Sequence, residues 1–195
     1  MTRIICIVCA SLLAAAASAQ EGGNPAGLSP DTPGLETAKP APDHSNTQDK
    51  LFLRQAALGN QAEVELGKLA SKKAESTPVR DFAQHMVEDH SKSGDLLRKA
   101  GRGVNQNIPK ELDPEHQAVR AKLDKASGRE FDIQYMGSMI QDHQRTANLL
   151  QWQITNGQSE PLKKYAADTL PDVMEHLEMA KQQYAMLTSG APPAK

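Results

Sequence analysis

The chain has 195 residues, a formal net charge of −2 and 4% aromatic side chains. So mild a charge excludes the strong basic field that nucleic acid or an acidic membrane surface would require as partner. Both cysteines, Cys6 and Cys9, stand at the extreme N-terminus, ahead of an expected cleavage site, so the mature chain has neither a disulfide nor a thiolate metal ligand.

Arg3 is followed by an uncharged, largely apolar stretch over 4–17 and then by Ala17-Ser18-Ala19. This pattern predicts a secretory signal over 1–19, with Gln20 as the new N-terminus and a periplasmic or secreted product. The stretch is short of the roughly 20 apolar residues that a membrane span needs. Nothing later is apolar enough to cross a bilayer. Positions 20–46 are dominated by proline, glycine and small polar residues (Pro25, Pro30, Pro40, Pro42) and read as a disordered linker.

A helical domain is expected over 47–188, with a disordered tail over 189–195. Its first helix spans about 49–74. Thr77 as N-cap and Pro78 at the first helical position open a second helix, which Gly101 and Gly103 close near 100. Asp113-Pro114 starts a short helix to about 126. Ser127 and Glu130 form a capping box that opens the next long helix, which ends at Asn156-Gly157. Ser159 and Pro161 begin the last helix, which runs to about 187 and carries Pro171, expected to kink it. No segment alternates with period two. The fold class is therefore all-α: a four-helix bundle of two helical hairpins joined by a short crossover helix.

Helical residues advance by about 100° each. On the second helix, Val79, Phe82, Met86 and Leu97 share a face with His90 near its centre. On the fourth, Tyr135, Met136, Met139 and Leu150 surround His143, and on the last, Val173, Leu177 and Ala180 flank His176. On the first, Glu63 falls among Phe52, Ala56, Leu66 and Ala70. At ~1.5 Å rise per residue, Glu63 and His90 lie about 20 Å from the first hairpin turn, and His143 and His176 about 22 and 27 Å from the second. One mid-height layer can therefore hold all four. A buried glutamate is costly unless paired, and nitrogen and oxygen donors of this kind suit Zn, Fe, Mn, Ni or Cu. The candidate metal ligands are Glu63, His90, His143 and His176. Asp89 and Asp142, each just before a histidine, can satisfy a histidine on a neighbouring helix, and Met86 and Met139 sit one turn before His90 and His143. The same four side chains can also satisfy one another as a metal-free polar network, in which case the chain is a non-catalytic envelope-stress or interaction protein. His85 lies on the flank of its helix, His116 reads as a surface contact of the crossover helix, and Trp152 as a cover over that helix.

The Glu-x-x-His spacing of di-iron bundles is absent, since Val87, Ile140 and Val173 occupy the places where glutamate would stand. No phosphate-binding loop, nucleophile elbow or His-Glu-x-x-His is present. No catalytic residue is assigned.

The phrases Glu63-Val64-Glu65-Leu66-Gly67-Lys68-Leu69-Ala70, Val79-Arg80-Asp81-Phe82-Ala83 with Asp89-His90, Phe131-Asp132 with Tyr135-Met136 and Asp142-His143, and Leu170-Pro171 with His176-Leu177 resemble the domain-of-unknown-function family 4142, over about 50–187. The resemblance implies an exported bacterial protein with a ferritin-like helical bundle. It brings no established activity, ligand or catalytic residue.

Overall fold

A computed structural model describes residues 46–189. The expected signal (1–19), the linker (20–46, all but Asn46) and the tail beyond Ser189 lie outside the described residues. The domain comprises α1 (Thr47–Lys73), α2 (Thr77–Ala100), α3 (Pro114–Lys125), α4 (Gly128–Asn156) and α5 (Glu160–Thr188), with a 3-10 turn at Gly101–Gly103 closing α2. No strand occurs among the described residues. The hairpins α1–α2 and α4–α5 each pack tightly, and α1 lies on α4 while α2 lies on α5. The four long helices thus form a ring around a shared interior, and α3 leans on α4 from outside. Helix α5 continues through Pro171 without a break.

Two starts are capped by side chains, the second at the residue the sequence indicates. Asn46 Oδ1 accepts the Asp49 amide at 2.7 Å, and Asp113 Oδ1 accepts the His116 amide at 3.0 Å, with Pro114 at the first position. The other long helices differ from expectation. Ser76, not Thr77, occupies the cap position of α2, and none of Ser76, Ser127 and Ser159 caps with its side chain. The capping box does not form, and Glu130 Oε1 accepts from Gln134 Nε2. Carboxylates from the opposite hairpin take over at two of these turns. Asp132 on α4 accepts the amides of Glu75 and Ser76 at 3.1 and 2.8 Å. Asp49 on α1 accepts those of Gln158 and Ser159 at 3.2 and 2.9 Å, and the Gln153 amide nitrogen at 2.7 Å. A carboxylate taking two amides outcompetes a local hydroxyl, and here it also ties each hairpin turn to the other hairpin.

These two clamps belong to an internal repeat. Asp49, Phe52, Ser76, Pro78 and Phe82 recur, at one constant offset, as Asp132, Tyr135, Ser159, Pro161 and Tyr165. The aromatic pairs follow suit, Phe52 on Tyr165 and Phe82 on Tyr135, both edge-on with centroids 6.3 Å apart.

The apolar core is divided in two. One cluster contains Leu66 and Ala70 (α1), Val79 to Met86 (α2), Phe131 to Met139 (α4) and Ala180 (α5). The other contains Phe52 and Ala56 (α1), Leu97 (α2), Ala147 and Leu150 (α4), and Leu162 to Val173 (α5). On every long helix the candidate side chain lies between the two: Glu63, His90, His143 and His176 form the seam.

Candidate metal centre

His90, His143 and His176 are 6%, 1% and 4% exposed, so all three rings are withdrawn from water. Their centroids form a near-equilateral triangle, with sides of 5.4 Å (His90–His143), 5.5 Å (His90–His176) and 5.5 Å (His143–His176). One ring nitrogen of each lies within 4.8 Å of the others. Three helices supply one ring apiece, at the positions that angle and height specify.

The hydrogen bonds fix the tautomers. Asn60 Nδ2 donates to the Tyr165 hydroxyl at 3.2 Å, a hydroxyl that also meets Ser93 Oγ at 2.7 Å. With its nitrogen committed, Asn60 presents Oδ1 to His90 Nδ1 at 3.0 Å, so that nitrogen carries the proton. His143 Nδ1 donates to the Met139 carbonyl at 2.9 Å. His176 Nε2 donates to Asp89 Oδ2 at 3.2 Å. Each ring therefore has one nitrogen anchored by an acceptor and the other without a partner: Nε2 of His90, Nε2 of His143 and Nδ1 of His176. An acceptor behind each imidazole is how proteins orient histidines for a metal and raise their basicity.

Burial, the largest cause in each case, holds all three imidazoles below the ordinary histidine range. His90 is pushed well down, with further repulsion from His143 and His176; His143 is lowered to about 4, and His176 is lowered despite the opposing pull of Asp89. Three neutral imidazoles with free lone pairs suit Zn, Cu, Ni or Fe.

Glu63 stands at the edge of the triangle. Its Oε1 is 3.4 Å from His143 Nδ1, the anchored nitrogen, and it falls outside the set whose donor atoms all lie within 4.8 Å of one another. Burial, with Asp142 second, raises its carboxyl well above the usual range, and Oε2 has no partner. Tyr135, in the adjoining apolar cluster, is likewise buried with an unpartnered hydroxyl.

The neighbours separate into distinct tasks. Asp89 holds His176, as a residue preceding a histidine can. Asp142 serves His116, with Oδ1 at 3.6 Å from Nε2, and not one of the three. Met139 contributes its carbonyl, and Met86 and Met139 side chains are fully buried in the first apolar cluster. The expectation of a surface role for His116 is corrected. It is 7% exposed, bound through Nδ1 to Asp113 at 2.6 Å, and it fastens α3 to α4. Trp152 is buried, at 9% exposure. Asn60, Ser93 and Tyr165 complete the site, although as uncharged polar residues they carry no ligand signature in the sequence.

No curated protein matches the chain. Among solved structures, CopM in its Cu(II)-bound form has the same fold (TM-score 0.59, 18% identity, 70% of this chain and 95% of that one covered). CopM in its silver-bound form gives a TM-score of 0.57 at 19% identity, covering 70% and 94%. A DUF305 protein of Streptomyces coelicolor, described as secreted, gives 0.61 at 16% identity, covering 76% and 97%. The model of one family, described as Domain of unknown function (DUF4142), matches residues 34–183, and the chain belongs to that family.

Proposed function

We propose that this is an exported metal-binding protein which holds one transition-metal ion on His90, His143 and His176. The observation that carries the reading is the set of three buried lone pairs, each opposite an anchored nitrogen. A self-satisfied polar network would leave no such set, because an unpaired buried nitrogen costs about 1–3 kcal/mol. Glu63 acts from behind His143, where a carboxylate offsets the charge of a dication that three neutral ligands leave uncompensated. Copper is the first candidate. It heads the affinity order for nitrogen donors, and the fold is shared with a protein solved with Cu(II) and with silver. Bound copper would supply a Lewis-acidic, redox-active centre. The chain's own residues hold and enclose it, which fits sequestration or delivery in the periplasm or outside the cell. No helix among the described residues is long and apolar enough to cross a membrane.

Elemental analysis of the untagged, exported protein tests the reading. We expect about one copper or zinc per chain, a melting temperature that rises with added metal, and loss of both in His90→Ala, His143→Ala and His176→Ala but not in His116→Ala. A wild-type protein whose melting temperature never responds to Cu(II), Zn(II) or Ni(II) would return the layer to the metal-free network.

A further inference from the structure

His176 faces two ways. Its Nδ1 is the unpartnered nitrogen of the triangle, while its Nε2 meets Asp89 Oδ2 at 3.2 Å. The same oxygen lies 3.3 Å from Nε2 of His85, one turn earlier on α2. The His85 ring packs edge-on against that of His176, with centroids 5.2 Å apart. His85, Asp89 and His176 thus offer three donor atoms within 4.8 Å of one another. Exposure runs outward through the set, with side chains 4% exposed at His176, 41% at Asp89 and 48% at His85. The imidazoles form an unbroken file from solvent (His85) through His176 to His90 and His143.

We propose a second, surface metal site made of His85, Asp89 and His176, which captures a hydrated divalent transition-metal ion and passes it inward through His176 to the buried triangle. The inner half of this inference rests on the function proposed above; the outer site does not. Two nitrogens and a carboxylate match the donors that such an ion prefers. Partial exposure lets the ion keep some of its water while Asp89 supplies opposite charge, so capture avoids the full desolvation that direct arrival at the triangle would demand. The transfer is a ligand exchange with no change of oxidation state. A neutral imidazole has one lone pair. On capture the proton of Nε2 leaves and one is taken up at Nδ1, so that Nε2 can hold the ion. When Nδ1 takes the ion, one proton leaves Nδ1 and one is taken up at Nε2, where Asp89 accepts its hydrogen bond. His176 therefore serves one site at a time, and the chain saturates at one tightly held ion.

A different route is available for comparison. A cleft of about 620 Å³ reaches His90 between α1 and α2, beneath Ile108, Pro109 and Lys110. The test uses the full exported chain and Cu(II) alone, with stopped-flow absorbance of the copper–imidazole bands. His85→Ala is the informative variant, because His85 is half exposed and none of its hydrogen bonds reaches His90 or His143. We expect two phases in the wild type, and in His85→Ala a single phase about tenfold slower, with an unchanged final spectrum and affinity. His85→Glu restores an oxygen donor and should restore the fast phase. His143→Ala should lose the tightly held copper that survives purification, yet still show on mixing with Cu(II) the fast phase of the weak outer site with its own spectrum. Loading of His85→Ala at the wild-type rate would overturn the proposal and leave the cleft as the route. Uptake abolished by His85→Ala but intact in His143→Ala would overturn the inner site and leave the outer one standing. No copper uptake by the wild type would overturn both.

Discussion

At the residue scale the centre is governed by protonation. Free imidazole titrates near 6.5, from which the sequence alone anticipates metal release as the pH falls through that value. Burial moves the three rings lower, His143 to about 4, so protons compete with a metal for them less than they would for free imidazole. Glu63 is different, since burial keeps its carboxyl protonated well above the usual range. A dication beside His143 favours the ionised form, so metal binding favours proton release from Glu63. Calorimetry in buffers of different ionisation heat should count up to one proton released per metal in the wild type and none in Glu63→Gln. Equal release from both proteins would show that the histidines, not the glutamate, pay the proton cost. The histidines themselves were legible in the sequence, because helical periodicity fixes the angle and rise fixes the height of each. Asn60, Ser93 and Tyr165 were not. Their task exists only once α1, α2 and α5 meet, and nothing local to an asparagine or serine announces it.

At the element scale the centre depends on how closely α1 and α2 approach. Gly67 lies one turn beyond Glu63 on α1. A Cβ built there would stand 2.9 Å from the Ala83 carbonyl oxygen and 2.9 Å from Val87 Cγ2. The valine methyl can rotate away, but the carbonyl belongs to the backbone of α2 and cannot. Gly67→Ala gains roughly 0.8–1 kcal/mol of helix propensity, against about 1–3 kcal/mol for overpacking. We therefore expect a net loss of stability in Gly67→Ala, seen as a lower urea midpoint, and failure to fold for Gly67→Leu. A more stable Gly67→Ala would mean that α1 can slide on α2 without penalty. Helix ends were less legible than helix interiors. Thr77, Ser127 and Ser159 have the composition of caps, but carboxylates from the other hairpin, Asp132 and Asp49, took the amides at two of those turns. A local rule cannot anticipate a long-range competitor.

At the scale of the whole molecule, the two hairpins repeat each other at their ends and differ at their centres. The clamps and aromatic pairs recur, but His143 stands where the first hairpin has Asn60, and His176 where it has Ser93. The site is thus a departure from the repeat: two positions that serve as supports in one hairpin carry candidate ligands in the other. The crossover helix that links the hairpins was placed correctly by the sequence but read as superficial, since two apolar residues, Val119 and Leu123, gave no measure of how far it would sink against α4. His116 is the pin. Lying between Asp142 and Asp113, it is held protonated, with its titration raised to about 9. The folded state thus binds a proton that the unfolded chain releases near 6.5. The stabilisation is complete below about pH 6.5 and is lost as the pH rises through about 9. His116→Ala should accordingly lower the melting temperature of the metal-free protein at about pH 6, and by much less at about pH 9.5, where the wild-type imidazole is also neutral. The difference between wild type and variant should close along a curve centred between those values. Because His116 sits on α3, bonded to Asp113 and Asp142 and to none of the three rings, copper affinity at neutral pH should be unchanged in the same variant. A pH-independent difference in melting temperature would mean that His116 acts through packing alone, without its charge.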